Sequence, residues 1–426
     1  MLFTQEQKKT ILLTSLGGAL EFYDFIVFVF FAKTLGTLFF PSSDSFVSLM
    51  ASWSLFAVGY LMRPLGGIIL GHLGDRIGRK KTFLITLIGM AMPSLLIGLL
   101  PVYQTIGILA PVLLILFRLL QGFCVGGEIP GALVFITELT PTQNRALVCS
   151  LIFFGVNSGL LLGSVIAALL SHFMAPKVLL TWGWRLPFCL GGVLGILGVY
   201  LRRQLHETPL FLQLQKLKKQ SSFPLKEILS KYSVQVGQGA LLTSLGAVTV
   251  SLFFLFMPNY LSTFFHYPFD SLMGLNSILI FTCSLFSILI SYYADQHGYL
   301  KLFRFGALGL LLFSYPLYAL FAWKSFYWVV LATLLLTGMG SLVISVFTSI
   351  LVGLYPTSVR YTGVALVYNL GFAIAGGFTP LLVTWFIQVT GNRFVPSVYL
   401  MGFSGFAFLV SLFMYETRGV ALGCRS

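Results

Sequence analysis

About twelve apolar segments, each close to the roughly 20 residues that a helix needs to cross a bilayer, follow one another along this chain. The chain is 57% hydrophobic and only 9% charged, whereas water-soluble domains carry about 25% charged residues. The predicted spans cover residues 11–38, 47–72, 82–101, 107–135, 147–171, 184–201, 234–258, 271–294, 302–322, 326–353, 362–388 and 394–415. This pattern predicts an all-α integral membrane protein.

Positive charge is distributed unevenly between the loops. The net charge is +14, but it does not indicate nucleic-acid binding, because the cations concentrate at both termini and in every second loop. These are Lys8, Lys9, Arg76, Arg79, Lys80, Lys81, Arg145, the range 202–231, Lys301, Arg304, Arg360 and Arg418, while the other loops hold only Lys177, Arg185, Lys324 and Arg393. An excess of Lys and Arg marks cytoplasmic loops, so both termini are predicted to be cytoplasmic.

The two halves of the chain resemble each other. Residues 138–145 (ELTPTQNR) are similar to residues 353–360 (GLYPTSVR). Two further matches keep the same order and a similar offset: Asp75, Gly78 and Lys81 recur as Asp295, Gly298 and Lys301, and Glu207-Thr208 recurs as Glu416-Thr417. Together they indicate duplication. We predict two pseudo-symmetric six-helix halves, residues 1–201 and 234–426, the design of transporters that expose a central site to alternate sides.

The polar stretch 202–233 joins the predicted halves. Leu210, Phe211, Leu214 and Leu217 recur at helical spacing beside Lys216, Lys218 and Lys219. This pattern favours a helix lying on the inner membrane surface, where anionic lipid would attract it. A flexible linker explains the same composition and stays open as an alternative.

Several motifs resemble a known family. Residues 71–81 (GHLGDRIGRKK), between the second and third spans, are similar to the loop signature of the major facilitator superfamily. Residues 21–25 (EFYDF), 63–67 (RPLGG) and 118–128 (RLLQGFCVGGE) resemble its metabolite:proton symporter family, which includes proline/betaine, α-ketoglutarate, citrate and shikimate carriers. The resemblance covers the whole chain. It implies the major facilitator fold and proton-driven import of a small organic solute, with no cofactor.

The loop motif predicts a cytoplasmic gate. Gly71 and Gly78 have no side chain, so they permit a tight turn and close helix approach. Asp75 is placed to face the positive N-terminal end of the eleventh span, near Thr362. Four more gate candidates are Arg76 and Arg79 of the loop signature, Glu138 as the partner of Arg79, and Arg145 in the same cluster. The alternative is that residues 76–81 only fix the topology.

Five charged residues fall within the predicted spans one, two and four: Glu21, Asp24, Arg63, Arg118 and Glu128. Each costs roughly 2.5–3.5 kcal/mol at a helix centre, so a functional role is the default hypothesis. All five belong to the first half, which predicts that the coupling chemistry resides there. A static buried ion-pair network holding these spans together is the structural alternative.

A proton-coupled cycle needs a carboxylate that can change its protonation state. A substrate carboxylate that binds a nearby arginine would free a protein carboxylate to take up a proton. We predict Asp24 or Glu128 as the proton site and Arg118 as the charge partner or substrate anchor, with Arg63 and Glu21 next. Weaker substrate candidates are Asn157, within the small-residue face of residues 155–163, and Tyr368 and Asn369 in the second half, although helix packing explains Asn157 equally well.

Other classes of function have less support in the sequence. The chain contains no HExxH, GxSxG or GxxxxGK[ST] motif and no clustered His and Cys, so we predict neither an enzyme, a metal site nor an ATP-driven pump. A drug or metabolite exporter on the same fold is the nearest alternative, and a receptor that has lost transport is a further one. The expected partners are a small organic solute, protons and the bilayer of a bacterial inner membrane, with the protein acting as a monomer. The sequence does not identify the solute, because paired Arg and carboxylate side chains suit a zwitterion such as proline or betaine and also a mono- or dicarboxylate.

Overall fold

The computed structural model describes residues 3–41, 45–217, 221 and 223–416, and its regular structure in these ranges is helical. Twelve long helices run in chain order: α1 Gln5–Phe30, α2 Ser45–Ile77, α3 Arg79–Leu99, α4 Leu109–Leu139, α5 Arg145–Phe173, α6 Arg185–Arg202, α7 Ser233–Val250, α8 Phe269–His297, α9 Tyr299–Ala319, α10 Phe326–Gly353, α11 Arg360–Leu370 and α12 Val395–Leu412. Two of them are extended by a π-helical segment and a further helix: α7 by Ser251–Phe256 and Met257–Phe265, and α11 by Gly371–Gly376 and Gly377–Thr390.

The helices have the dimensions of membrane spans. Within the described ranges, ten helical segments are long and apolar enough to cross a bilayer. The other two predicted spans correspond to α1, with 26 residues, and α2, with 33 residues. The order and number of long helices therefore agree with the predicted all-α fold.

Two helix boundaries near the N-terminus differ from the prediction. The first predicted span, residues 11–38, consists of α1 and a second helix, Ala32–Phe39. The predicted loop 71–81 is largely helical, because α2 continues to Ile77 and α3 begins at Arg79. Gly78 alone separates them and has φ +115°, a conformation that side-chain-bearing residues rarely adopt. Asp75 of α2 and Arg79 of α3 pair across this turn at 3.2 Å.

The chain folds into two compact units. The first contains Met1–Leu139 and Ile152–Ser222, and the second contains Thr140–Leu151 and Phe223–Ser426. The first unit ends within the predicted linker. That linker contains two short helices, Pro209–Lys216 and Pro224–Lys231, and its Lys218 and Lys219 lie outside the described residues. The second unit therefore includes the first residues of α5, as far as Leu151. The sequence did not indicate this division.

In the first unit, α2 and α4 pack backbone to backbone. A Cβ at Gly122 would lie 2.1 Å from the carbonyl oxygen of Gly59, and one at Gly126 would lie 2.2 Å from that of Arg63. Only residues without a side chain allow this approach. The contact brings Arg63 of α2 close to α4, the helix that carries Arg118.

Helix α5 packs on α1 in the same way. A Cβ at Gly159 would lie 1.8 Å from the carbonyl oxygen of Ala19, and one at Gly155 would lie 2.7 Å from that of Ser15. The small-residue face of α5 is thus a helix–helix contact.

A hydrophobic cluster fixes the C-terminal part of α1 within the first unit. Its buried members are Tyr23, Val27, Phe28, Phe31, Leu35, Phe39, Ile97, Leu100, Ala110, Leu114, Ala167, Trp184 and Phe188. Phe39 and Trp184 meet edge to face with ring centroids 5.6 Å apart. Because lipid is as apolar as these side chains, close packing of the rings, and not their removal from water, holds this part of α1 against its neighbours.

Candidate functional site

Asp24 lies buried near the end of α1, in the interior of the first unit. The neighbouring Tyr23 donates its hydroxyl to the carbonyl oxygen of Pro187 at 2.9 Å, which ties α1 to α6. On α6, a Cβ at Gly191 would lie only 2.5 Å from Asp24 Oδ1. The absence of a side chain at Gly191 therefore makes the space that the carboxylate occupies.

One oxygen of the Asp24 carboxylate receives two hydrogen bonds. Ser94 of α3 donates its hydroxyl to Oδ2, and Gln121 of α4 donates Nε2 to the same oxygen at 3.2 Å. Gln121 also donates to Ser94 Oγ at 2.8 Å. Oδ1 has no hydrogen-bond partner among the described residues. Hydrogen bonds thus hold Oδ2 in place, whereas Oδ1 can still accept one.

Arg118 provides a buried positive charge near this carboxylate. Its guanidinium lies over the ring of Phe28, with Cζ 3.4 Å from the ring centroid. The Nε and Nη2 atoms have no hydrogen-bond partner in the described part of the chain. Asp24 and Arg118 attract each other electrostatically, but none of the ion pairs between described side chains joins them.

Asp24, Arg118 and Gln121 line one cavity of about 50 Å³. Arg63 lines it too, with its guanidinium 5.2 Å from the ring centroid of Tyr60. This volume has room for a few water molecules. It is far smaller than the ~300–1,000 Å³ of ligand pockets that enclose a whole small molecule. The cavity therefore has room for one polar group of a solute, and Asp24 and Arg118 could exchange charge partners within it.

Glu128 has a different environment, with one carboxylate oxygen in an ion pair and the other in a hydrogen bond. Arg202, the last residue of α6, pairs with Oε1 at 2.6 Å, and Thr86 donates its hydroxyl to Oε2 at 2.6 Å. Arg202 also donates to the carbonyl oxygens of Leu13 and Thr14 in α1. Glu128 thus belongs to a buried crosslink and not to the Asp24 cavity. The side chain of Glu21 lies outside the described part of the structure.

A second group of charges lies where α2 meets α3, which we call the loop cluster: Asp75, Arg79, Glu138 and Thr208. Arg79 is buried and pairs with Asp75 at 3.2 Å and with Glu138 at 3.3 Å. Thr208 donates its hydroxyl to Glu138 at 2.7 Å. The structure therefore contains the predicted contact between Arg79 and Glu138. Gly71 and Asp75 are buried within α2, and Arg76 is exposed. A gate role for these residues stays a prediction.

The repeated Glu residues after α6 and α12 make equivalent contacts. Glu207 accepts a hydrogen bond from the backbone N–H of Lys80 at 3.1 Å, beside Gly78. In the second unit, Glu416 accepts one from the N–H of Leu300 at 3.1 Å, beside Gly298 with φ +108°. Each carboxylate satisfies an N–H at a helix start that has no side-chain cap of its own. The weak sequence match thus reflects a shared structural role.

Asp295 binds the start of α5 within the second unit. Its two oxygens accept hydrogen bonds from the N–H groups of Ala146 and Leu147, both at 2.9 Å, and Tyr299 donates its hydroxyl to Oδ1 at 2.8 Å. Arg145 interacts electrostatically with Asp295 and Tyr299. The predicted contacts of Arg145 with the loop cluster and of Asp75 with α11 would join the two units, and they stay predictions.

The weaker substrate candidates lie in separate places. Asn157 is half-buried on α5. Tyr368 is fully buried and stacks between Phe347 and Phe372, with centroid distances of 6.4 and 4.5 Å. Asn369 donates its amide to the carbonyl oxygen of Ala365 at 2.8 Å. None of these observations places a solute beside the three residues, so their substrate role stays a prediction.

The sequence did not single out three residues that contact the buried carboxylates Asp24 and Glu128. Ser94 carried no signal, because it is one of many hydroxyl residues in apolar spans. Gln121 lies within the motif of residues 118–128, one turn after Arg118, and that spacing on a helix was the available signal. Arg202 was counted among the linker cations, although it is buried.

Two repeated units of long apolar helices, one of which encloses opposite charges in its interior, define a secondary transporter. Relatives with curated names agree. The chain is 35% identical to the glycine betaine/proline/ectoine/pipecolic acid transporter OusA of Dickeya dadantii, over 97% of this chain and 84% of that protein. It is 34% identical to the proline/betaine transporter of Escherichia coli K12 (96% and 84% covered) and 32% identical to a putative proline/betaine transporter of Staphylococcus aureus (99% and 91%).

Solved structures with the same fold include the proton:xylose symporter XylE, with a TM-score of 0.82, 18% identity and coverage of 98% of this chain and 97% of that one. The human organic anion transporter MFSD10 matches with a TM-score of 0.68, 16% identity and coverage of 96% and 100%. Residues 10–238 match the sequence profile of the family described as "Sugar (and other) transporter". The chain belongs to the major facilitator superfamily and, within it, to the metabolite:proton symporter family. The predicted fold, family and class of function are confirmed.

Proposed function

We propose that this protein imports a small zwitterionic solute together with a proton, and that Asp24 carries the proton. One observation carries the proposal: Asp24 and Arg118 line the same buried cavity, yet no direct ion pair joins them. Each keeps polar atoms without a hydrogen-bond partner among the described residues. Buried charges are normally paired, so such atoms indicate groups that change partners during function.

The coupling follows from competition for Arg118. In the absence of solute, the guanidinium stabilises the ionised form of Asp24 across the cavity. A solute carboxylate that reaches Arg118 Nε and Nη2 takes over this positive charge. Asp24 then loses its electrostatic partner and binds a proton at Oδ1. Solute and proton occupy the protein together, which is the requirement for symport.

Glu128 fits the role of proton site less well. Both of its oxygens are engaged, one by Arg202 and one by Thr86. Protonation would leave the buried Arg202 without its counter-charge, at a cost of several kcal/mol. The sequence left Asp24 and Glu128 as candidate proton sites, and of these two we therefore propose Asp24.

The proposed class of substrate is supported by the solutes of a relative and by the charges of the site. The named solutes of OusA, glycine betaine, proline, ectoine and pipecolic acid, each have a carboxylate and a cationic nitrogen. In the Asp24 cavity, Arg118 supplies the charge complementary to the solute carboxylate, while Asp24 takes up the proton. A zwitterion is neutral overall, so each cycle moves one net positive charge inward. That movement gains about 2.3 kcal/mol per 100 mV of membrane potential.

The protein is an integral membrane protein, and we place it in a bacterial inner membrane with both termini in the cytoplasm, as the distribution of Lys and Arg favours. It works by transport and not by catalysis, as a monomer, driven by the proton gradient without a cofactor.

The test is uptake into proteoliposomes. Labelled proline, glycine betaine, α-ketoglutarate and citrate are offered with and without an inward proton gradient, to wild type and to Asp24→Asn. We expect gradient-driven uptake of a zwitterion by wild type. The variant should lose this accumulation and keep solute exchange in the absence of a gradient, because its amide cannot carry the proton.

Glu227→Gln is the matched control, since it neutralises a carboxylate that pairs only with the exposed Lys231. It should transport as wild type does. Accumulation by Asp24→Asn at the wild-type level would refute the assignment of the proton site. Proton-driven efflux from loaded vesicles, with no driven uptake, would establish the exporter instead.

A further inference from the structure

We propose that Ser94 and Gln121 are positioning residues of the proton step, which set the pH range in which Asp24 loads its proton. The inference rests on the proposed role of Asp24. It concerns two neutral residues from different helices that do not themselves exchange protons.

The hydrogen bonds between these three side chains are directional. Ser94 and Gln121 both donate to Oδ2 of Asp24, and the amide of Gln121 also donates to Ser94 Oγ. The hydroxyl of Ser94 therefore points towards Asp24, because an ionised carboxylate can only accept a hydrogen bond, while the Ser94 oxygen accepts one from Gln121. All three side chains are buried, and burial strengthens hydrogen bonds between them. The array favours the ionised carboxylate and leaves Oδ1 as the site for the proton.

The groups that face Asp24 from other helices show which of its neighbours are charged and which are neutral donors. The nearby charges are Arg118 from α4 and Arg63 from α2, which line the same cavity, and the Tyr23 hydroxyl lies on α1 itself. Helix α6 contributes Gly191, which has no side chain, and α3 contributes Ser94. The Ser94 and Gln121 donors are thus the neutral groups that stabilise the negative charge at Oδ2.

The direction of the effect follows from which form of Asp24 the donors stabilise. Removing a donor makes the ionised form less favourable, so Asp24 keeps its proton at higher external pH. Uptake that requires the protonated form should then persist to higher pH. Hydrogen bonds to a charged group are strong enough to move the alkaline limb of the pH profile by roughly one pH unit.

The experiment measures the initial rate of zwitterion uptake against external pH, at a fixed membrane potential, for Ser94→Ala and Gln121→Met. Methionine keeps the length of glutamine and removes its donors. Ser94→Cys retains a weak donor of similar size, so we expect a smaller shift in the same direction. The matched controls are Ser164→Ala, whose hydroxyl bonds only the backbone of its own helix, and Gln204→Met, whose bond to Lys9 is exposed. Both should retain the wild-type profile.

An alkaline shift in the Ser94 and Gln121 variants, with solute exchange preserved, supports the inference. Profiles that superimpose on wild type would overturn it. A loss of rate by the same factor at every pH would also overturn it, since that result describes a structural role. Asp24→Asn separates this failure from that of the proposed function. If Asp24→Asn abolishes proton-driven accumulation while these profiles do not move, only the positioning role is wrong.

Discussion

Arg202 pairs with Glu128 across 2.6 Å inside the first unit, in a position where α1, α3, α4 and α6 meet. A Cβ at Gly17 would lie 1.4 Å from Arg202 Nη2, so this glycine of α1 makes room for the guanidinium. The guanidinium also lies over the ring of Phe83, with Cζ 3.6 Å from the centroid. An ion pair with this many contacts fixes four helices relative to one another.

Glu128→Gln should therefore lower stability and leave proton coupling intact. The substitution leaves Arg202 buried without a counter-charge, which costs about 3–5 kcal/mol. Replacing both partners, as Glu128→Leu with Arg202→Met, should recover most of that loss because no charge remains buried. The midpoint of thermal unfolding in detergent measures both effects.

Glu227→Gln provides the comparison, because its pair with Lys231 is exposed and contributes only about 0–1 kcal/mol. A Glu128→Gln protein with wild-type stability that fails to accumulate solute would show the opposite of our expectation. It would move the proton site from Asp24 to Glu128.

The sequence predicted which residues are unusual better than it predicted their partners. A charge within an apolar span is visible from composition alone, so Asp24, Arg118 and Glu128 were selected. Their partners come from distant spans: Ser94 is 70 residues from Asp24, and Gln121 is 97 residues from it. Helical periodicity predicts which face a residue occupies and does not predict which neighbouring helix it meets. The two carboxylates became distinguishable only when the structure placed Arg202 against Glu128.

The same limit applies at the helix ends. Arg202 is the last residue of α6, and its position beside a cationic linker made it look like a topology signal. Its side chain is long enough to reach back into the interior and donate to carbonyl oxygens of α1. By contrast, the Glu207 and Glu416 match was visible because both residues follow the final helix of a repeat. The sequence did not show that each binds a backbone N–H.

Gly191→Ala should impair proton coupling without disrupting the fold. The added methyl group would lie 2.5 Å from Asp24 Oδ1, the oxygen that we assign to the proton. The carboxylate must shift, and its contacts with Ser94 and Gln121 shift with it. We expect gradient-driven accumulation to fall roughly tenfold, the effect of moving a protonation equilibrium by one unit. Uptake and exchange are measured in the same proteoliposomes.

Gly198→Ala is the matched control on α6, because its Cβ would lie 3.0 Å from Leu20 Cδ1, the end of a flexible side chain. Side-chain adjustment should accommodate it, with accumulation near the wild-type level. Equal accumulation by Gly191→Ala and Gly198→Ala would argue against Oδ1 as the proton-binding atom.

Gly78→Ala should destabilise the protein more than Gly107→Ala. Both glycines have positive φ, +115° at Gly78 and +58° at Gly107, so both substitutions strain the backbone by about 1–3 kcal/mol. At Gly107 the new methyl group meets nothing within 4 Å, whereas at Gly78 it would lie 2.4 Å from Glu207 Oε2. The Gly78 variant therefore also displaces the carboxylate that bonds the N–H of Lys80. Losing that charged hydrogen bond adds about 1.5–3 kcal/mol. Thermal unfolding in detergent should show a clearly lower midpoint for Gly78→Ala. Equal midpoints would mean that the Glu207 contact contributes little and that backbone strain alone accounts for the stability lost in Gly78→Ala.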